Sequence, residues 1–122
     1  MKEILLVGFG GFAGSILRYA AGLMSFGTPK LNFSTLSVNL VGSLIIGLLS
    51  AYLLKNNNQN YQLLLVTGFC GGFTTYSTFS LQLLKFMEVG NHLNMILYLL
   101  ISLVGGVGLC YLGLILGSKF FN

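Results

Sequence analysis

Apolar residues in this chain run in long blocks, and the breaks between blocks are set by very few charges. The charged positions are Lys2, Glu3, Arg18, Lys30, Lys55, Lys85, Glu88 and Lys119. They leave stretches 31–54, 56–84 and 89–118 free of charge, and between Glu3 and Lys30 only Arg18 intervenes. A membrane-crossing helix needs about 20 consecutive, mostly apolar residues. Each block therefore holds one span and none holds two. The pattern predicts four transmembrane helices over roughly 4–24, 35–54, 61–84 and 93–116, forming one membrane domain across residues 1–122. Short connections follow at 26–33, which contains the only proline, Pro29, at the polar run 56–60, and at 89–92.

Composition confirms the solvent. Hydrophobic residues make up 55% of the chain and charged residues 7%, against about 25% charged in an average soluble domain. Mean hydropathy is +0.87. So few charges cannot cover a soluble globule of this size, and disorder requires the opposite composition. The fold class is all-α integral membrane. Lys2 ahead of an apolar run resembles a secretory leader, but Arg18 interrupts that run and three more apolar spans follow it, so the segment is expected to remain as the first helix.

Lys and Arg in short loops normally mark the cytoplasmic face. Here Lys2, Lys55 and Lys119 fall on one face, and Arg18, Lys30 and Lys85 on the other. The balance allows insertion in both orientations and pairing with an inverted copy; it also fits chance distribution of six charges. The basic residues are scattered over helix ends, so no patch suggests nucleic acid.

Most enzyme chemistry is excluded. Glu3 and Glu88 lie at span ends and cannot act as paired acids. Cys70 and Cys110 stand singly in apolar spans and His92 is alone, so no metal or nucleophile constellation assembles. Gly8-Phe9-Gly10-Gly11-Phe12-Ala13 matches G-x-G-x-x-A, but a dinucleotide fold needs an acidic residue about 20 positions on and β-α alternation, and both are missing. Gly10/Gly14, Ser43/Gly47, Gly68/Gly72, Ser102/Gly106 and Gly113/Gly117 have the small-xxx-small spacing that lets helices approach closely in lipid.

The third span is different. Its centre reads Gly68-Phe69-Cys70-Gly71-Gly72-Phe73-Thr74-Thr75-Tyr76-Ser77-Thr78-Phe79-Ser80. Glycine costs about 1 kcal/mol per helical site, and Ser and Thr offer the backbone competing hydrogen bonds. The sequence predicts a break in this helix. Broken backbone at membrane depth survives only where protein buries it or a watery cavity meets it, and transporters and channels use such breaks to aim free backbone groups at ions. Asn39 adds an uncharged amide to the second span. Hydroxyl and amide N–H groups are donors and aromatic edges are electropositive, which suits an anion, although a break can also bare carbonyls to a cation.

These residues resemble the CrcB/Fluc family of fluoride channels nearly end to end. The resemblance rests on Gly10-Gly11-x-x-Gly14-Ser15-x-x-Arg18-Tyr19, on Asn39-Leu40-x-Gly42-Ser43 and, most specifically, on the run from Gly68 to Ser80. It implies an antiparallel, dual-topology homodimer in a bacterial inner membrane, with two fluoride pores and a structural Na⁺ on the central axis. It implies backbone carbonyls of Gly71 and Thr74 as Na⁺ ligands. Tyr76 and Phe79 would present ring edges to fluoride. Asn39, Ser77 and Thr78 match pore-lining polar groups, and Tyr98 and Ser102 match part of a polar track on the fourth helix. Two positions depart from the pattern: Tyr76 stands where the family usually has Phe, and Gly106 where some members carry a hydroxyl. At Gly106, water or a neighbouring helix is expected to fill in. The implied function is passive fluoride exit, with membrane lipid and a second copy of the chain as partners. The main rival is a dual-topology drug/proton exporter, which would need a carboxylate in the membrane; a non-conducting assembly subunit held by glycine seams is a third reading.

Overall fold

The computed structural model describes every residue except 25, 26, 29, 30 and 122. Phe26, Pro29 and Lys30 of the expected first connection lie outside the described residues. The first helix runs Lys2–Leu23 and the second Ser34–Asn56. Between them, Gly27–Thr28 pairs with Leu31–Asn32 in a two-residue antiparallel ladder.

The second helix stops at Asn57, whose backbone is left-handed (φ 41°, ψ 42°) and whose N–H bonds the Leu53 carbonyl at 2.8 Å. Asparagine tolerates this region better than other non-glycine residues. Asn58 then starts the next helix at once, its Oδ1 accepting the Asn60 and Tyr61 N–H groups at 3.1 and 3.4 Å. The expected polar turn at 56–60 is thus mostly helix ends and caps.

The third spanning region is two helices. A first half-helix covers residues 59–73, and a second runs Tyr76–Glu88. Residues 62–70 of the first half wind in wide turns closed by i→i+5 bonds, a geometry that recurs at functional sites. After Gly90, at φ 69°, Asn91 caps the last helix by accepting the Asn94 N–H at 3.3 Å. The last helix runs His92–Phe120 and widens again at residues 101–105. His92, expected in the loop, is its first residue. The first, second and last helices are each long and apolar enough to cross a membrane; only the third crossing is divided.

Two glycine seams organise the packing. The first helix lies on the first half-helix so closely that a methyl on Gly10 would strike the Leu64 carbonyl oxygen, and one on Gly14 the Phe69 carbonyl. The second helix lies on the last in the same way, with Gly47 against the Cys110 carbonyl and Gly113 against that of Leu44. In lipid there is no water to drive helices together, so close backbone contact of this kind carries the association. The spacing read from sequence is therefore used at the Gly10/Gly14, Gly68/Gly72 and Gly113/Gly117 pairs. Among the described residues the buried hydrophobic side chains are few (Val38, Ala51, Cys70, Phe73, Phe86 and Tyr98), while large apolar residues such as Phe9, Phe12 and Leu103 face outward. That inversion of a soluble core fits a lipid surround. At one end, Tyr52 meets Tyr61 and Phe121 edge-on at 6.3 and 5.1 Å, and the Lys55 ammonium donates to the Phe121 carbonyl.

Candidate functional site: a broken helix beside a polar cavity

The break occupies two residues. Thr74 (φ −84°, ψ 159°) and Thr75 (φ −149°, ψ 120°) are extended between helical turns. Side chains from two other helices hold it in that state. Asn39 clamps Thr75 from the second helix: its Nδ2 donates to the Thr75 carbonyl at 3.0 Å and its Oδ1 accepts the Thr75 N–H at 2.8 Å. From the first helix, Arg18 Nε donates to the Gly72 carbonyl at 3.0 Å. A cation at a helix C-terminus is favoured by the partial negative charge there. Arg18 is half-buried and forms no ion pair with a carboxylate among the described residues, so the contact seen for its guanidinium is the Gly72 carbonyl.

The second half-helix is capped from within. Thr75 Oγ1 accepts the Thr78 N–H at 3.3 Å and lies 3.1 Å from Thr78 Oγ1 and 3.3 Å from Ser77 Oγ. Three hydroxyls thus gather at the N-terminus of this helix, where the dipole favours negative charge.

These bonds strip two carbonyls of their usual partners. In an unbroken helix the Gly71 carbonyl would receive the Thr75 N–H, which goes to Asn39 instead. The Thr74 N–H goes to the Cys70 carbonyl at 3.0 Å. The carbonyl of Thr74 likewise loses the Thr78 N–H to Thr75 Oγ1. Gly71 is exposed, and a methyl added there would meet nothing within 4 Å. Gly71 and Thr74 therefore present carbonyl oxygens released from their helical donors, that of Gly71 beside open space, the ligand type preferred by hard cations. Among the described residues, no group of His, Cys, Asp and Glu side chains could hold a metal, so a cation here would depend on backbone.

A cavity of about 660 Å³ opens on the break between the second, third and last helices. Of the residues singled out in sequence, Asn39, Gly71, Thr74, Tyr76, Phe79 and Ser102 line it. Ser77 and Thr78 sit beside it in the capping cluster. Tyr98 stands behind Phe79, ring centres 5.6 Å apart and nearly parallel. The rings form a ladder: Tyr76 to Phe79 at 5.8 Å, Phe79 to Tyr98, then Tyr98 to Phe86 at 5.7 Å. Tyr76 is 80% exposed at its open end, whereas Tyr98 is 4% exposed.

Among the described residues, three buried polar atoms have no partner: Gln82 Nε2, Tyr98 OH and Ser102 Oγ. Leaving a buried polar group unpaired costs about 1–3 kcal/mol, and polar groups inside a membrane either bond across helices or line a path. Gln82 was not identified in the sequence; it lies one turn beyond Phe79 on the second half-helix and is 7% exposed. The available signal was its position, an amide three residues after an aromatic of the break motif. The bracing role of Arg18 was also missed, although a lone charge in the last third of the first helix pointed to a partner.

Comparison with known proteins places this geometry. The family model "CrcB-like protein, Camphor Resistance (CrcB)" matches residues 5–114. A protein of Chlorobium chlorochromatii named "Fluoride-specific ion channel FluC" is 46% identical, over 93% of this chain and 90% of its own length. Relatives of the same name from Methanococcus maripaludis and Azobacteroides pseudotrichonymphae are 45% and 41% identical over 99% of both chains. The chain belongs to the CrcB-like family and is a multi-pass membrane protein.

Proposed function

We propose that this protein is a fluoride-selective channel that lets cytoplasmic fluoride leave the cell passively and so lowers its toxicity. The single observation that carries this reading is the set of uncharged, unpartnered polar groups around a braced helix break, on a chain whose relatives are named fluoride channels.

Fluoride is small and holds its water strongly, so a pore must replace that water with donors. Ser102 Oγ, Tyr98 OH and Gln82 Nε2 are donors without a partner among the described residues, and the edges of Tyr76 and Phe79 add positive character. Arg18 contributes the only positive charge within a predicted span, but neither it nor any other charged residue lines the cavity, so the ion path itself uses neutral groups. Conduction needs binding weak enough to release the ion, and neutral donors meet that need better than a desolvated ammonium.

The working unit on this reading is an antiparallel homodimer of dual topology, with two pores, in a bacterial inner membrane. Outward-facing apolar surface on every helix and the open side of Gly71 support a second copy packed against the break. A structural Na⁺ on the dimer axis is supported by the two freed carbonyls, Gly71 and Thr74, which a two-fold axis would double. A proton-coupled exporter is disfavoured, since Glu3 and Glu88 are exposed at helix ends.

Purified protein in liposomes loaded with KF or KCl tests the reading by ion-selective electrode. Rapid fluoride efflux with negligible chloride efflux is expected. Equal rates for the two anions, or none, would overturn it.

A further inference from the structure

Ser102 Oγ is buried, unpaired and on the cavity wall. One helical turn further on, the last helix presents Gly106, which has no side chain to continue that polar face. The second helix stands opposite. Ser43 Oγ lies 3.5 Å from where a Cβ on Gly106 would sit, and Ser43 lines the same cavity. The seam is tight at this level: a methyl on Gly105 would meet Leu40 Cδ2 at 3.0 Å. A side chain of the second helix, rather than lipid, therefore fills the space that Gly106 leaves.

Ser43 Oγ donates to the Asn39 carbonyl at 2.8 Å. Such a bond from a helical serine back to residue i−4 competes with the helix's own hydrogen bond and adds little stability. The Asn39 carbonyl keeps its helical N–H when the hydroxyl turns away. Ser43 can thus redirect its proton into the cavity at small cost.

We propose that Ser43 is an anion-binding residue of the permeation path, paired across the helix seam with Ser102. The second helix supplies a hydroxyl at the level where the last helix carries Gly106. The ligand is a small, strongly hydrated monovalent anion, which is fluoride on the reading above, and the proposal rests on that reading.

The test is fluoride efflux from liposomes containing the wild type, Ser43→Ala, Ser43→Ala/Gly106→Ser and Ser43→Ala/Gly106→Ala, each first shown to elute as the wild-type species. A methyl on Gly106 meets only an ordinary contact, and alanine is the best helix former, so all four are expected to fold. Loss of one hydrogen bond to the ion predicts about a tenfold slower efflux for Ser43→Ala. Adding Gly106→Ser restores the rate to within about threefold, because the hydroxyl returns from the other helix; adding Gly106→Ala does not. Wild-type efflux from Ser43→Ala, or rescue by alanine as complete as by serine, would overturn the proposal. An inactive wild type would instead overturn the channel reading itself, and the Ser43 role with it.

Discussion

The two halves of the divided third helix are built on opposite principles. The first half is locked by backbone: Gly68 and Gly72 sit against the Val7 and Gly11 carbonyls of the first helix, and Arg18 ties its last turn. The second half is held by side chains. It buries only Gln82 and Phe86, leans on Tyr98 through its rings, and starts in a cluster of hydroxyls. Two kinds of work are separated in this way. A glycine seam cannot adjust by even a methyl group, so it fixes where the break lies and how its carbonyls point. Hydroxyls and rings can turn about their side-chain bonds, so on the proposed reading they would meet and release an ion without moving the backbone. Asn39 joins the two regimes, since its amide holds Thr75, the cap of the adaptable half, to the rigid second helix.

The largest effect is expected on the locked side. Gly14→Val would drive side-chain atoms into the Phe69 carbonyl and Phe73 N–H, an overpacking of backbone on backbone that should exceed about 3 kcal/mol. Size-exclusion chromatography should show little monodisperse protein; wild-type yield and melting would mean the seam is not rigid. Next comes the joint. Asn39→Asp keeps the acceptor for the Thr75 N–H but turns a carboxylate oxygen toward the Thr75 carbonyl. We expect a loss of about 2 kcal/mol in stability and at least tenfold slower fluoride efflux. Unchanged efflux would show that the clamp does not shape the path.

Cation binding probes the carbonyls between the halves. If Gly71 and Thr74 hold Na⁺, replacing choline by Na⁺ at constant ionic strength should raise the thermal midpoint by about 5 °C through mass action. Identical midpoints in the two salts would count against the site. The smallest stability effect is expected on the adaptable side. Gln82→Leu removes an unpaired buried amide, so stability should hold or rise by about 1 kcal/mol, while fluoride efflux slows. A substantial drop in the midpoint would reveal that Gln82 has a structural partner.

Much of this arrangement is legible in the chain. Seven of the eight charges delimit the crossings because a charge in hydrocarbon is costly wherever it falls, and this rule needs no knowledge of packing. The break at Thr74 and Thr75 is legible because glycine and hydroxyl residues weaken a helix locally. What escaped is tertiary. The Arg18–Gly72 bond joins residues 54 apart in sequence and the Asn39–Thr75 clamp residues 36 apart, and neither leaves a periodic trace. The wide turns of residues 62–70 leave no mark either, since Leu, Val and Thr there are compatible with an ordinary helix. Gln82 was hidden among apolar neighbours because its burial depends on how the second half-helix turns after the break.

Passive selection of fluoride by neutral groups is tested most directly in a planar bilayer holding the purified protein, with KF on one side and an equal concentration of KCl on the other. The reversal potential should lie far toward the fluoride equilibrium potential and should not move when a pH gradient is imposed. A reversal potential near zero, or one that follows the proton gradient, would contradict a fluoride-selective channel.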